Sequence, residues 1–422
     1  MTAVLPRRLL IALLAIAAVL APTAAVAAPA TPAAHADLVR SKEYWLDQYG
    51  IRQAWATTRG KGVTIAIIDT GVDGSVPELR GAVVGGTDFS GQGSADGETP
   101  IGSDGSDHAT MVASLAVGRG TGSGSGVIGA APEASVLSIS IGFGQGGEDS
   151  DDEIADAVTW ATDHGAQVIN MSLTRNSLDW PQSWDRAFEY AMDHNVVIVA
   201  AAGNRGSGTV EVGAPATMPG VLTVAGVTQS GKASSAASSQ GITIAVAAPS
   251  ENLVGVVPGG GYVVWDGTSG AAPIVAGIVA LVRAAHPDLD ADNVINRIIA
   301  TAKDAGATGE DPLYGFGLVN AAAAVSADVP AVTANPMGDL KEWIRLNRRA
   351  DATPAASATP KVPTEATPLP VAGARDPVGT LLPSVTTLQL VGIPVLVLLL
   401  ALFALTGLVI GAVRYFRGRS TR

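Results

Sequence analysis

The chain alternates short apolar runs with longer stretches whose apolar positions return every three to four residues. Val63–Asp69, Val136–Ile141, Val168–Ser172, Val196–Ala202, Leu222–Val227 and Ile242–Ala247 are rich in Val and Ile and read as buried strands. Between several of them, His108–Val117, Asp152–His164 and Ser183–His194 carry the helical period. The run from Ala271 to Ala285 is apolar throughout and predicts a buried helix with Ser269 at its mouth. Alternation of this kind predicts an α/β fold of three layers, a mainly parallel sheet covered on both faces by helices. Sites in such sheets gather at the carboxyl ends of the strands, where Asp69 and Asn204 both fall.

The ends of the chain differ from its middle. Met1 to Ala28 has Arg7 and Arg8, an apolar stretch from Leu9 to Leu20 and an Ala25-Val26-Ala27 site, so 1–28 reads as a secretory signal peptide. Residues 29–54, with Tyr44, Trp45 and Tyr49, read as an arm lying against the domain surface, and 55–328 as one large domain. Residues 329–387 turn to Pro, Ala and Thr, the composition of an extended tether. Within it Leu340, Trp343 and Ile344 at helical spacing, beside Lys341, Arg345, Arg348 and Arg349, form a short basic amphipathic helix. Contact with anionic lipid and packing back on the domain are both open to it.

Residues 388–413 include the uncharged apolar stretch Leu390 to Val413, longer than the roughly 20 residues of a bilayer-spanning helix, so one C-terminal transmembrane helix is predicted. Arg414, Arg417, Arg419 and Arg422 follow it. By the positive-inside rule the tail 414–422 is cytoplasmic and the domain extracellular, a single-pass protein of the cell membrane.

Composition removes several classes. The absence of cysteine leaves no disulfide to hold an exported domain, so its stability rests on the core. A formal net charge of −12 argues against nucleic acid as a partner. The acidic run Glu148, Asp149, Asp151, Asp152, Glu153 suits a helix start better than a calcium site, and no metal or cofactor is called for. Gly124-Ser125-Gly126-Val127-Ile128-Gly129 has dinucleotide-site spacing, but it follows a helix and precedes a strand, the reverse of that motif, and reads as a flexible loop.

A serine at a helix start is ordinarily a cap. Ser269 differs in its company: Asp69-Thr70-Gly71, His108-Ala109-Thr110-Met111-Val112-Ala113, Ala202-Gly203-Asn204 and Gly267-Thr268-Ser269-Gly270-Ala271-Ala272-Pro273, in that order. From roughly Trp55 to Val325 the chain resembles the subtilisin-like (S8) serine proteases. That resemblance implies a serine endopeptidase acting on a protein or peptide. Ser269 is then nucleophile, His108 general base and Asp69 its orienting carboxylate. It also implies an oxyanion site from the Asn204 amide and the Ser269 N–H, and a cleft bordered by Ser172, Leu173, Thr174 and Gly203. Of the other histidines, His35 lies near the signal, His286 precedes a proline, and His164 and His194 end helical segments. The order Asp, His, Ser is not that of α/β-hydrolases, which removes an esterase of that fold.

The chain departs from the family pattern with Ala109 and Thr174 where glycine is usual and Gly270 where methionine is usual. The first two touch the histidine's neighbour and the shape of the primary specificity pocket. Trp180 and Trp184, after the Ser172-Leu173-Thr174 segment, are equally suited to rimming the cleft and to plain packing. The arm is much shorter than the folding-assisting prosegment of many secreted subtilisins. Signal, protease domain, tether and span together look like the mycosins, membrane-anchored proteases of actinobacterial type VII secretion systems, although mycosins often carry disulfides. That likeness implies a secretion-complex partner. Two other readings stand beside it: a structural component of a membrane complex with dispensable catalysis, and a stand-alone surface protease of broad specificity.

Overall fold

The computed structural model describes residues 38–102, 106–142 and 150–348. The signal peptide, residues 349–387 of the tether, Arg349 of its basic helix, the span at 388–413 and the tail lie outside the described residues.

The centre of the domain is a sheet of seven parallel strands: β1 Thr64–Asp69, β2 Val83–Asp88, β3 Ser135–Ser140, β4 Val168–Met171, β5 Val197–Ala201, β6 Leu222–Val227 and β7 Ile244–Pro249. Their order is β2-β3-β1-β4-β5-β6-β7. The chain leaves β1 toward one edge and leaves β4 toward the other, so the crevice between β1 and β4 is the topological switch point of the sheet. The six strands read from the sequence all form. β7 sits two residues late because Ile242 faces solvent. β2 escapes a hydrophobic reading because Gly85 and Gly86 interrupt it and it lies half-buried at the sheet edge. A separate antiparallel hairpin, β8 Leu253–Val256 with β9 Tyr262–Trp265, was not foreseen either.

Helices cover both faces. The longest, Thr268–Ala285, begins three residues before the apolar run and is buried against the sheet. By length and composition it resembles a membrane span, yet it is the core helix of this domain. It crosses the helix His108–Val117 at Gly277, where an added Cβ would lie 2.6 Å from Ala130 Cβ and 3.0 Å from the Ala116 carbonyl. The missing side chain lets the two helices approach. The segment Gly124–Gly129, read above as a flexible loop, belongs to a hydrogen-bonded turn over residues 119–128: Gly120 N donates to Val127 O (2.9 Å) and Thr121 N to Ser125 O (2.9 Å).

The described part of the arm is embedded rather than superficial. Trp45, Leu46 and Ile51 are buried in the core, and Glu43 accepts the Ile128 N–H at 2.6 Å. Arg40 holds the 119–128 turn through the carbonyls of Ser125 (2.8 Å) and Gly126 (3.1 Å). At the other end, residues 329–348 also run over the domain. Val332 N donates to Asn293 Oδ1 (2.8 Å), and the helix Leu340–Asn347 lies along the helix Gln182–Asp193. Leu340 is buried, Lys341 reaches Glu189 (3.2 Å), and Trp343 packs on Trp180 with ring centroids 4.3 Å apart. Arg348 donates to Asp185 Oδ2 (2.8 Å) and to the Trp180 carbonyl (3.0 Å). The amphipathic segment therefore spends its apolar face on the protein. Trp180 and Trp184 are likewise buried packing residues, with indole N–H groups on Asp185 (2.7 Å) and the Asp151 carbonyl (2.7 Å).

Candidate active site

Asp69 ends β1 and is fully buried, on one side of the switch-point crevice. One carboxylate oxygen accepts the Thr70 N–H at 2.7 Å, and both stand 2.9 Å from His108 Nδ1. His108 opens its helix, which is tied to the loop after β1 by Ala109 N on Thr70 Oγ1 (3.3 Å) and Asp73 N on Thr110 Oγ1 (3.0 Å). Ala109 is buried there without displacing these bonds. Burial pulls the imidazole pKa down, but the Asp69 charge and its hydrogen bond outweigh that, leaving His108 above its ordinary 6.5. Its side chain remains 26% exposed although Nδ1 is held on the buried Asp69.

Ser269 is the second residue of the helix Thr268–Ala285, with the positive end of the dipole beside it. Its backbone N–H has no protein acceptor among the described residues, as expected in a first helical turn. The hydroxyl donates to the Ser172 carbonyl (3.1 Å), and Ser172 Oγ donates back to the Ser269 carbonyl (2.9 Å). The structure thus joins Asp69 to His108 directly and places Ser269 on the β4 side of the crevice. Its hydroxyl is not bonded to the imidazole.

Asn204 follows β5. Its amide oxygen accepts from Thr268 N (2.8 Å) and Thr268 Oγ1 (3.0 Å). A backbone N–H can only donate, so this contact fixes the amide orientation and leaves Nδ2 as a free donor beside Gly267. Gly267 has φ +150°, and a Cβ there would stand 3.3 Å from Asn204 Nδ2, so a side chain at 267 would be strained and press on that donor.

The three cleft residues follow β4: Ser172 and Leu173 are buried and Thr174 is half-buried. Gly203, which follows the neighbouring strand β5, has φ +101° and lies beside Thr174; its absent Cβ would lie 3.2 Å from Thr174 Cγ2, 2.7 Å from Thr209 Cγ2 and 2.8 Å from Ser239 Oγ. Thr174 therefore narrows the space between the two cleft walls.

Of the acidic run, Asp151 pairs with Arg175 and Glu153 accepts the Gly142 N–H (2.6 Å); residues 148 and 149 lie outside the described residues. His164 and His194 each place Nδ1 2.8 Å from the carbonyl four residues earlier, as helix-terminal histidines do. His286 places Nε2 2.7 Å from the Val325 carbonyl.

Three participants were not assigned from sequence. Thr268 orients Asn204, Pro273 bears on the Ser269 carbonyl, and Trp265 stands with its ring centroid 5.9 Å from that of His108. The first two lay inside a recognised motif, where identity was visible and role was not. Trp265 sits on the unforeseen hairpin, and no pattern in the chain links it to His108.

Residues 60–317 match the subtilase family, Peptidase S8. Fervidolysin of Fervidobacterium pennivorans is 34% identical over 69% of this chain, which spans only 44% of fervidolysin's length. Subtilisin DY of Bacillus licheniformis is 36% identical over 63% of this chain and 92% of its own. Among solved structures, MycP1 from the ESX-1 type VII secretion system superposes with a TM-score of 0.59 at 32% identity, covering 70% of this chain and 88% of that one. With the parallel sheet, the switch-point crevice and residues 60–317 all in agreement, the chain belongs to the subtilase family of serine endopeptidases.

Proposed function

We propose that this chain is an exported, membrane-anchored endopeptidase that cuts a protein substrate through Asp69, His108 and Ser269, in a type VII secretion setting. The carrying observation is the buried Asp69 carboxylate, both oxygens 2.9 Å from His108 Nδ1, in the crevice that also receives the Ser269 end of the core helix. With Nδ1–H bound to Asp69, the neutral imidazole has its lone pair on Nε2, the state a general base needs. The Ser269 hydroxyl turns from the Ser172 carbonyl to His108, gives up its proton to Nε2, and Oγ bonds to the scissile carbonyl carbon. The carbonyl oxygen gains the negative charge and is held by the Ser269 N–H and Asn204 Nδ2. Imidazolium then protonates the departing amine, the C–N bond breaks, and water repeats the sequence on the acyl-enzyme.

The narrowed gap between Thr174 and Gly203 favours a small side chain immediately before the cut. The likeness to a MycP1 of a type VII system supports the secretion setting, and the sequence of residues 1–28 and 388–422 supports export and anchoring. The deciding experiment labels intact cells with a serine-directed phosphonate and follows exported substrates. Wild type should be labelled and Ser269→Ala should not, with processing lost. If Ser269→Ala processes every substrate while gene deletion stops export, the chain acts as a scaffold. Protease added outside should release the domain and spare a tag at Arg422; loss of the tag overturns the orientation.

A further inference from the structure

Trp265 closes β9 two residues before Gly267, at the junction of the two helices that carry His108 and Ser269. The His108 and Trp265 rings meet edge to face, with planes 71° apart. The same indole covers Gly270. A Cβ built there would stand 3.3 Å from the Trp265 ring and collide with Leu253 on the paired strand. At its other end, Trp265 Nε1 is buried beside Gly255, where an added Cβ would lie 3.0 Å from that nitrogen and 2.9 Å from Met111 Cβ. Met111 is about one turn beyond His108 on its helix. One ring therefore bridges the residue after the nucleophile and the helix of the histidine.

The hairpin that presents it is itself fixed. Val256 N donates to Ser114 Oγ (3.2 Å) on the His108 helix, and Tyr262 Oη donates to Glu78 (2.6 Å). The buried indole N–H has no acceptor among the described residues. Asp69 is the charged group in contact with His108, and it grips only the Nδ1 edge. Rotation of the ring about that contact is left open, and a second contact away from Asp69 closes it.

We propose that Trp265 is a positioning residue, whose indole fixes the tilt of the His108 imidazole and its spacing from Ser269. This rests on the roles assigned above to His108 and Ser269. The test compares Trp265→Ala and Trp265→Phe with wild type in kcat, KM and pH profile on one peptide substrate, with phosphonate labelling as control. Trp265→Ala should lower kcat by about 10–100-fold, as expected for a misplaced catalytic group, with KM moved far less. Its pH midpoint should rise, because water reaching the imidazole relieves the burial that opposes protonation. Trp265→Phe, which keeps an aromatic edge, should retain most of kcat. Should the alanine variant not fold, Trp265→Leu keeps apolar bulk without a ring and should show the same fall in kcat. An unchanged kcat and midpoint with KM alone raised, or a phenylalanine variant no better than alanine, overturns the proposal. Wild type that escapes labelling, or Ser269→Ala that is labelled, defeats the reading of His108 and Ser269 instead.

Discussion

Ser172 and Ser269 hold each other by two reciprocal hydrogen bonds, each hydroxyl on the other's carbonyl, at 2.9 and 3.1 Å. Pro273 explains why one of them is needed. It sits inside the helix four residues after Ser269 and has no N–H, so the Ser269 carbonyl lacks its helical donor. The Ser172 hydroxyl takes that place and pins the nucleophile's backbone to the strand that borders the cleft.

Ser172→Ala should leave that carbonyl buried and unpaired, at a cost of about 1–3 kcal/mol read as a lower Tm, with a fall in kcat. Adding Pro273→Ala returns an N–H to the helix. The double variant should therefore be more stable than the sum of the single effects predicts, measured as a double-mutant cycle in urea. Strict additivity would show that the two residues do not serve the same carbonyl.

The pH dependence follows from the raised His108 pKa. Activity needs the neutral imidazole, so kcat/KM should climb with a midpoint above about 6.5. Stability runs the other way: the Asp69–imidazolium attraction is fully present below 6.5 and is lost as pH rises through the folded-state value. Asp69→Asn should move the midpoint down. A wild-type midpoint at or below 6.5 would contradict the Asp69–His108 pairing as the dominant influence.

Asn204→Ala removes one of two oxyanion donors without touching Ser269. Turnover should fall by about 10²–10³ while the phosphonate still labels Ser269. Thr268 N and Oγ1 lose their acceptor in the same variant, so Asn204→Asp, which keeps the accepting oxygen, separates support of Thr268 from donation to the oxyanion. If the aspartate variant turns over at the wild-type rate, Nδ2 is not an oxyanion donor.

Thr174→Gly should widen the gap opposite Gly203. In a series of peptides differing only before the cut, wild type should favour Ala over Phe, and the variant should gain on Phe by about 10-fold or more, the scale of one or two methyl-sized contacts. An unchanged ranking would mean that Thr174 does not bound the pocket.

The parallel sheet and the strand ends bearing Asp69 and Asn204 were legible because β-branched runs such as Ile65–Ile68 have no competing pattern. The site residues were legible as motifs. What was hidden depends on partners distant in the chain. β2 is an edge strand broken by glycines, and β9 alternates too weakly and briefly to stand out. Proline- and alanine-rich composition suggested a tether from residue 329, but composition cannot reveal that Trp343 finds Trp180 or that Arg348 finds the buried Asp185. The absent helical donor at Pro273 was readable from spacing alone; its replacement by Ser172 was not.

The Trp343–Trp180 stack and the Arg348–Asp185 pair change how far the protease can reach. Under the membrane-anchored proposal, only residues beyond Arg348 remain to serve as a leash, about 20 fewer than composition suggests. At about 3.1 Å per residue for extended proline-rich chain, roughly 60 Å is removed from the greatest height at which the cleft can stand above a bilayer. A substrate emerging from a membrane channel would meet the enzyme close to its exit, and one still buried in a tall assembly would lie out of range. Freeing the helix, by Trp343→Ala with Arg348→Ala, would lengthen the leash through residues that take no part in the Asp69–His108 pair or the Ser172–Ser269 bonds.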